Sequence, residues 1–301
     1  MPRVQIIEMS LRDGLQNEVT HLSVGQRFSL IKKLNDAGIR RMEIGAFVSP
    51  TWVPQMSESG KLIKKVLRAQ KMRRLHKETH FSALVPNRKG LETALESGIK
   101  EIAVFGAASE TFSQRNINCS ISQSLKKFEE VIKEARANKI KVRGYLSTVF
   151  GCPYEGAVSQ AKVIKLVEKY LAMGVYEISL GDTIGVATPK QVREILNKVL
   201  KMSNSSKIAM HFHDTRGTAI ANILASLDLG IRKFDTSLGG LGGCPYAPGA
   251  AGNVATEDVV YMLHGMGYTT GLDLQKLIKT TQWMSRQVGR QLPSKLSLTG
   301  G

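Results

Sequence analysis

The sequence has few of the features that mark secreted or membrane-bound proteins. Three cysteines in 301 residues form an odd, sparse set that does not make a disulfide framework. No apolar run reaches the length of about 18 residues that a membrane-spanning helix needs. The N-terminus begins with a strand-like pattern and has no apolar core typical of a signal peptide. These features predict a cytoplasmic globular protein with free thiols and no membrane partner.

Aromatic residues are also scarce, at 6% of the chain, whereas basic residues give a formal net charge of +17. A charge of this size makes nucleic acid one possible partner. The densest basic segment, residues 61–77, interleaves apolar residues with lysines and arginines, as the solvated face of an amphipathic helix does. An aromatic-rich basic motif for stacking bases is absent. We therefore expect no nucleic-acid partner, and one hypothesis is that the charge attracts an anionic substrate.

Eight short apolar segments alternate with segments of helical periodicity. This alternation predicts parallel strands joined by crossover helices, and eight units in about 250 residues fit an α/β fold of the (β/α)₈ TIM-barrel type. An open doubly wound sheet is the alternative, but its usual glycine-rich phosphate loop does not follow the first strand. We predict a single domain over residues 1–301 with one additional C-terminal helix from about residue 272. The predicted strands are 4–9, 41–47, 80–85, 101–107, 141–150, 175–181, 207–214 and 233–239.

The barrel prediction gathers polar residues at one rim. Active sites of such barrels lie at the carboxyl ends of the strands, whereas polar residues at the other end mostly serve stability. In this sequence, polar side chains lie on or directly after the first, second, sixth, seventh and eighth predicted strands. They are Arg12, Asp13, Glu43, Asp182, His211, His213, Asp214, Cys244 and Asn253.

Two histidines on the seventh predicted strand suggest a metal site. His211 and His213 are two residues apart, so their side chains point to the same face of a strand. A lone histidine on an apolar strand is more often a hydrogen-bonded core residue. Here two histidines lie together, and carboxylates from other strands are predicted to lie near them, which favours a metal ion. Imidazole, carboxylate and amide donors together suit Mg²⁺ or Mn²⁺, while Zn²⁺ prefers fewer ligands. We predict that Asp214 turns away and supports the site from outside.

Two further residues suggest catalysis beside this ion. Arg12 is next to Asp13, and a permanently charged, planar guanidinium suits a carboxylate or a developing enolate. Cys244 lies within the glycine-rich segment 239–252, which predicts a mobile lid whose thiol donates or accepts a proton. The remaining cysteines, Cys119 and Cys152, are predicted to be small buried residues.

Motifs of several residues occur along nearly the whole chain. They include RDGLQNE (12–18), FVSP (47–50), FGAASE (105–110), GCPYEG (151–156), EISLGDTIGV (177–186), HFHDT (211–215) and LGGCPYAPGAAGN (241–253). Together they resemble the 3-hydroxy-3-methylglutaryl-CoA lyase family, within a wider superfamily of metal-dependent lyases and synthases. The Arg-Asp turn and the His-x-His strand are shared by that superfamily, whereas the cysteine loop resembles the lyase branch.

The resemblance implies a reaction and a setting. Members of the family cleave 3-hydroxy-3-methylglutaryl-CoA into acetyl-CoA and acetoacetate during leucine degradation, with a divalent ion and no organic cofactor. The domain would be a pyruvate-carboxyltransferase-like TIM barrel, and the protein would be a homodimer. Gln16, in the first motif, would contact the acyl-CoA substrate.

The resemblance also implies roles for the matching residues. Arg12 would stabilise the enolate oxygen of the departing acetyl-CoA, and Cys244 would be the general acid–base at the enolate carbon. The remaining matches fall into two groups. The metal ligands would be Asp13, His211, His213 and Asn253, and the residues linked to metal-site support or proton transfer would be Glu43, Asp182 and Glu257.

Departures from the family pattern leave other reactions open. Val19 and Thr51 stand where the family has lysines, and Ala251 stands where it has a serine. These changes leave the acyl-chain specificity open, so a related acyl-CoA lyase is one alternative. A synthase that condenses acetyl-CoA with a 2-oxo acid is another, although the cysteine loop favours the lyase.

Overall fold

Eight parallel strands close into a barrel in the order in which they occur in the chain. The computed structural model describes residues 2–244 and 247–299, with side chains described outside residues 243–251. The last strand pairs with the first, which confirms the predicted TIM barrel. The strands are β1 (Gln5–Glu8), β2 (Arg41–Ala46), β3 (His80–Leu84), β4 (Glu101–Ala107), β5 (Lys141–Ser147), β6 (Glu177–Asp182), β7 (Ile208–Phe212) and β8 (Lys233–Thr236).

At least one helix connects each barrel strand to the next, and further elements follow the eighth strand. The first eight helices are α1 (Val24–Asp36), α2 (Ser59–Lys71), α3 (Arg88–Ser97), α4 (Glu110–Ile117), α5 (Ile121–Ala137), α6 (Gln160–Met173), α7 (Pro189–Val199) and α8 (Ala219–Asp228). After β8 come a hairpin of β9 (Gly243–Cys244) and β10 (Ala247–Ala251), then α9 (Thr256–Gly265), α10 (Leu274–Val288) and α11 (Lys295–Thr299). The predicted C-terminal helix is therefore present as α10, and the short α11 follows it. In the described part of the chain, no helix is long and apolar enough to cross a membrane.

Local capping chemistry sets several helix ends. The side chain of Thr188 accepts a hydrogen bond from the backbone of Gln191, and Pro189 begins α7. Helix α6 ends at Gly174, whose φ of 86° is the left-handed conformation that glycine adopts without steric cost. The carboxyl ends of the strands share one rim because all eight strands are parallel in the closed barrel.

Charged side chains fill part of the barrel interior. Arg143 on β5 and Asp235 on β8 belong to strands that are not neighbours, yet their side chains are 2.8 Å apart, so the pair spans the interior. Arg143 also lies 2.7 Å from Glu177. All three are almost fully buried, at 0–1% exposure. A buried charge is tolerated when it is paired and hydrogen-bonded, and each of these is.

Two glycines allow α6 to pack closely on the barrel. A Cβ at Gly144 would lie 2.4 Å from Cδ1 of Tyr170, and one at Gly106 would lie 2.4 Å from the Tyr170 hydroxyl. These positions lie on the paired strands β5 and β4. The Tyr170 hydroxyl donates a hydrogen bond to the backbone oxygen of Tyr145, 3.2 Å away. The missing side chains therefore let a helix contact the strand that carries Tyr145.

Replacement of Gly144 with alanine is expected to lower the free energy of unfolding by about 1–3 kcal/mol, because the new methyl group overlaps the Tyr170 ring. Urea denaturation followed by circular dichroism measures the change. The matched control is Gly265→Ala in α9, where a Cβ meets no atom within 4 Å and alanine favours the helix. Equal stability of Gly144→Ala and the wild-type protein would contradict the close packing.

Candidate active site

Asp13, His211 and His213 converge at the carboxyl rim of the barrel. Each offers one potential ligand atom, and these atoms lie within 4.8 Å of one another. The Nε2 atoms of both histidines are 3.8 Å from Oδ2 of Asp13, and the ring centroids are 5.2 Å apart. The structure thus brings three of the four predicted ligands together. Two imidazole nitrogens and a carboxylate oxygen can hold a divalent cation.

Asn253, the fourth predicted ligand, lies beside this triad. Its backbone forms a bridge with His213, and its Nδ2 donates a 2.8 Å hydrogen bond to Oδ2 of Asp13. Its Oδ1 is buried and accepts no hydrogen bond from the described residues. A buried amide oxygen normally has a partner, and a cation beside Asp13 would provide one. The donor set therefore fits a divalent ion.

Asp13 and Arg12 lie in a π-helical turn, Ser10–Gly14, directly after β1. The Arg12 guanidinium donates to Asp13 through Nη1 and to Glu43 of β2 through Nε. Burial alone would raise the pKa of the Asp13 carboxyl, but the charges of Arg12 and the hydrogen bond from His213 lower it well below its usual value. Asp13 is therefore an ionised carboxylate, and Arg12 is a fixed cation beside it.

Tyr145 on β5 completes the support of Arg12, and the sequence analysis missed it. Its hydroxyl donates a 2.9 Å hydrogen bond to Glu43, and the Arg12 guanidinium lies 5.4 Å from its ring centroid. Burial raises the pKa of this phenol well above its ordinary value, so it stays a neutral donor. The available signal in the sequence was the position of Tyr145 two residues after Arg143 on one predicted strand, which places both side chains on the same face.

Asp182 and Asp214 have backbone partners. The two carboxylate oxygens of Asp182 accept hydrogen bonds of 2.9 and 3.0 Å from the N–H groups of Val186 and Ala187, and burial raises its pKa. Oδ1 of Asp214 accepts from the N–H of Ala219, 3.0 Å away, where α8 begins. Both carboxylates thus shape the loops that follow β6 and β7.

Glu257 holds a glycine turn that leads into the hairpin. It accepts a 3.0 Å hydrogen bond from the N–H of Gly239 and a 2.7 Å bond from the hydroxyl of Thr281 on α10. The N–H of Ser294 donates to the carbonyl of Gly239 at 3.1 Å. Gly239 has a φ of 66°, which favours glycine. Glu257 therefore supports the segment that carries Cys244 and Asn253.

A cavity opens over the candidate metal ligands. Its lining contains both polar and apolar residues, and Gln16, the predicted substrate contact, is one of the polar ones. The Cys244 side chain, predicted to be the acid–base, lies outside the described residues. Cys119 and Cys152 are buried, as predicted. The cavity is lined by Arg12, Asp13, Gln16, Asn17, Leu84, Phe105, Phe112, Asn116, Tyr145, Leu146, Ser147, Ser179, Gly181, Thr183, His211 and His213.

Comparisons with known proteins identify relatives over nearly the full length. The family model described as HMGL-like matches residues 3–284. The chain is 48% identical to the mitochondrial hydroxymethylglutaryl-CoA lyase of Bos taurus, over 98% of this chain and 89% of that protein. It is 47% identical to the 3-hydroxy-3-isohexenylglutaryl-CoA/hydroxymethylglutaryl-CoA lyase of Pseudomonas aeruginosa, over 97% of this chain and 95% of that one. The crystal structure of a hydroxymethylglutaryl-CoA lyase from Pseudomonas aeruginosa superposes with a TM-score of 0.94 at 46% identity, covering 99% and 98% of the two chains.

The buried Glu257 predicts a pH-dependent stability. Burial raises its pKa to about 7, against 4.5 for an exposed glutamate, so only the folded chain keeps this proton between those values. The stabilisation is complete below about pH 4.5 and is lost as the pH rises to about 7. From about pH 5 to about pH 8, the wild-type protein should lose about 2.5 kcal/mol of unfolding free energy relative to Glu257→Gln. Denaturant titrations across this range measure it, and parallel pH profiles of the two proteins would refute it.

Proposed function

The chain belongs to the HMGL-like family, and from this premise we propose that it catalyses the hydroxymethylglutaryl-CoA lyase reaction. The substrate is 3-hydroxy-3-methylglutaryl-CoA, and the products are acetyl-CoA and acetoacetate. The observation that carries the proposal is the convergence of Asp13, His211 and His213 beside the buried Arg12 in one cavity. This arrangement supplies a metal site and a fixed cation, which a carbon–carbon cleavage through an enolate requires.

The metal site is proposed to hold Mg²⁺ or Mn²⁺. Asp13, His211, His213 and Asn253 would be its ligands, and Gln16 lines the cavity where the substrate would lie. A bound divalent ion lowers the pKa of a hydroxyl group and polarises a carbonyl group. The scheme uses no organic cofactor.

Arg12 is proposed to stabilise the enolate. When a general base takes the proton of the substrate hydroxyl, the C3–O bond becomes the ketone of acetoacetate and the C2–C3 bond breaks. The electron pair of the broken bond forms the enolate of the acetyl thioester. Two carboxylates, of Asp13 and Glu43, hold the Arg12 guanidinium in place before the reaction begins. Because this cation is oriented in advance and buried, the developing negative charge meets it without reorganisation.

Cys244 is proposed to protonate the enolate carbon and so release acetyl-CoA. The support is its place in the sequence, nine residues before Asn253, and the backbone pairing of β9 with β10 beside the rim. Gly242, two residues earlier, packs against the π-helical turn, since a Cβ there would lie 3.1 Å from Cα of Gly14. This packing brings the start of the hairpin to the turn that carries Arg12.

Turnover of 3-hydroxy-3-methylglutaryl-CoA by the purified protein tests the proposal. Acetoacetate release should require a divalent ion, disappear with EDTA and return with Mg²⁺ or Mn²⁺. Cys244→Ala should lower kcat by roughly 10²–10⁴-fold, the usual contribution of a general acid or base. The matched control is Cys119→Ala, which removes a buried thiol that does not line the cavity.

Absence of cleavage with every metal would reject the reaction. Full activity in Cys244→Ala with a metal-dependent wild type would reject only the role of the thiol.

A second candidate function is cleavage of a related substrate with a longer acyl chain, and the lining of the cavity supports it. Leu84, Phe105 and Phe112 are apolar residues of the cavity lining, and the name of the Pseudomonas aeruginosa relative includes an isohexenyl substrate. The ratio of kcat/KM for the methyl and isohexenyl substrates decides between them. We also propose a homodimer, which the family resemblance supports, and the cytoplasmic location that the sequence predicts.

A further inference from the structure

His211 lies between two carboxylates. Its Nε2 atom faces Asp13 at 3.8 Å, within the candidate metal site, and its Nδ1 atom faces Oδ2 of Asp235 at 3.4 Å. The register of the barrel causes the second contact, because His211 on β7 pairs directly with Asp235 on β8. Nδ1 is buried and makes no well-aligned hydrogen bond with any described residue, so Asp235 is the carboxylate placed to receive its proton.

Asp235 is itself held rigidly. It is 1% exposed, and Arg143 binds both of its oxygens, through Nη2 to Oδ1 at 2.8 Å and through Nη1 to Oδ2 at 3.1 Å. The hydroxyl of Ser179 donates a further 2.7 Å bond to Oδ2. Burial would raise the pKa of Asp235, but the Arg143 guanidinium lowers it below its ordinary value. A fixed, ionised carboxylate therefore faces the imidazole.

The support of Asp235 extends to the other side of the metal site. Nη1 of Arg143 donates to the Tyr145 hydroxyl at 2.8 Å, and that hydroxyl donates to Glu43 at 2.9 Å. Glu43 accepts from Arg12, which in turn contacts Asp13. One buried chain of polar contacts thus connects two candidate ligands, His211 and Asp13, through the barrel interior.

We propose that Asp235 is a positioning residue that sets the orientation and tautomer of His211. When Asp235 accepts a hydrogen bond from the Nδ1–H group, the proton stays on that nitrogen and Nε2 presents a lone pair to the ion. Carboxylates that hold a metal-bound histidine in this way strengthen metal affinity by roughly 10–100-fold. The inference rests on the metal-dependent function proposed above, and it adds a residue from β8 to the site.

The affinity for Mn²⁺ of the full-length protein without substrate tests the proposal. Electron paramagnetic resonance of free Mn²⁺ gives the Kd directly and does not depend on turnover. Asp235→Asn should raise this Kd by roughly 10–100-fold. The amide has no charge, and its NH₂ group can face Nδ1 and favour the tautomer with the proton on Nε2. The matched control is Asp228→Asn, which changes the same group at the exposed ion pair with Arg193, 3.1 Å long, and should leave the Kd unchanged.

A second variant and a spectroscopic readout separate positioning from folding. Ser179→Ala keeps the Asp235 carboxylate and removes one of its hydrogen bonds, so it should raise the Kd by roughly two- to tenfold. In ¹⁵N NMR of the metal-free protein, the His211 proton should reside on Nδ1 in the wild type and shift toward Nε2 in Asp235→Asn. A destabilised but otherwise unaltered site would not change this tautomer.

Three results would overturn the inference. One is a folded Asp235→Asn protein that binds Mn²⁺ within about twofold of the wild type. Another, decisive if Asp235→Asn does not fold, is a Ser179→Ala protein whose Kd for Mn²⁺ equals that of the wild type. The third is a wild-type protein that binds no Mn²⁺, which would also reject the proposed metal-dependent function. The first two results leave that function intact.

Discussion

The site depends on buried arginines that are each shared by two carboxylates. Arg12 lies between Asp13 and Glu43, and Arg143 lies between Glu177 and Asp235. Removing a charge from water costs several kcal/mol unless nearby opposite charges and hydrogen bonds offset the loss. Each arginine satisfies this condition for the carboxylates beside it. The barrel interior can therefore keep ionised groups at fixed positions directly beneath the cavity.

This arrangement also explains why a barrel is a suitable scaffold for the reaction. Parallel strands place the ends of β1, β2, β7 and β8 at one rim, so ligands from distant parts of the sequence meet there. The same fold supports many reactions, so it does not establish the function by itself. The function is supported by relatives that are 47–48% identical over nearly the whole chain, and by the candidate metal-binding triad beside a fixed cation.

The sequence predicted the barrel because its evidence is local and repeated. Each strand is a short apolar run, and caps such as Thr188 and Gly174 mark helix ends without knowledge of distant contacts. His211 and His213 were recognisable because their spacing places both on one face. Tyr145 and Asp235 were missed because their importance comes from contacts across the barrel, and the sequence does not show which side chains meet there. The predicted strands were also too long by two or three residues at the carboxyl ends of β5, β7 and β8, where the chain turns into loops near the site.

The contacts of Gly239 have a consequence for the order in which the protein is made. Thr281 on α10 holds the glycine turn through its hydrogen bond to Glu257. Ser294, after the end of α10, binds the carbonyl of Gly239 directly. All eight barrel strands are complete by residue 236, so they leave the ribosome well before these two residues. A nascent chain can therefore form the barrel while the segment that carries Cys244 and Asn253 is still unanchored. The hydrogen-bond partners that anchor this segment are thus among the last residues to be synthesised.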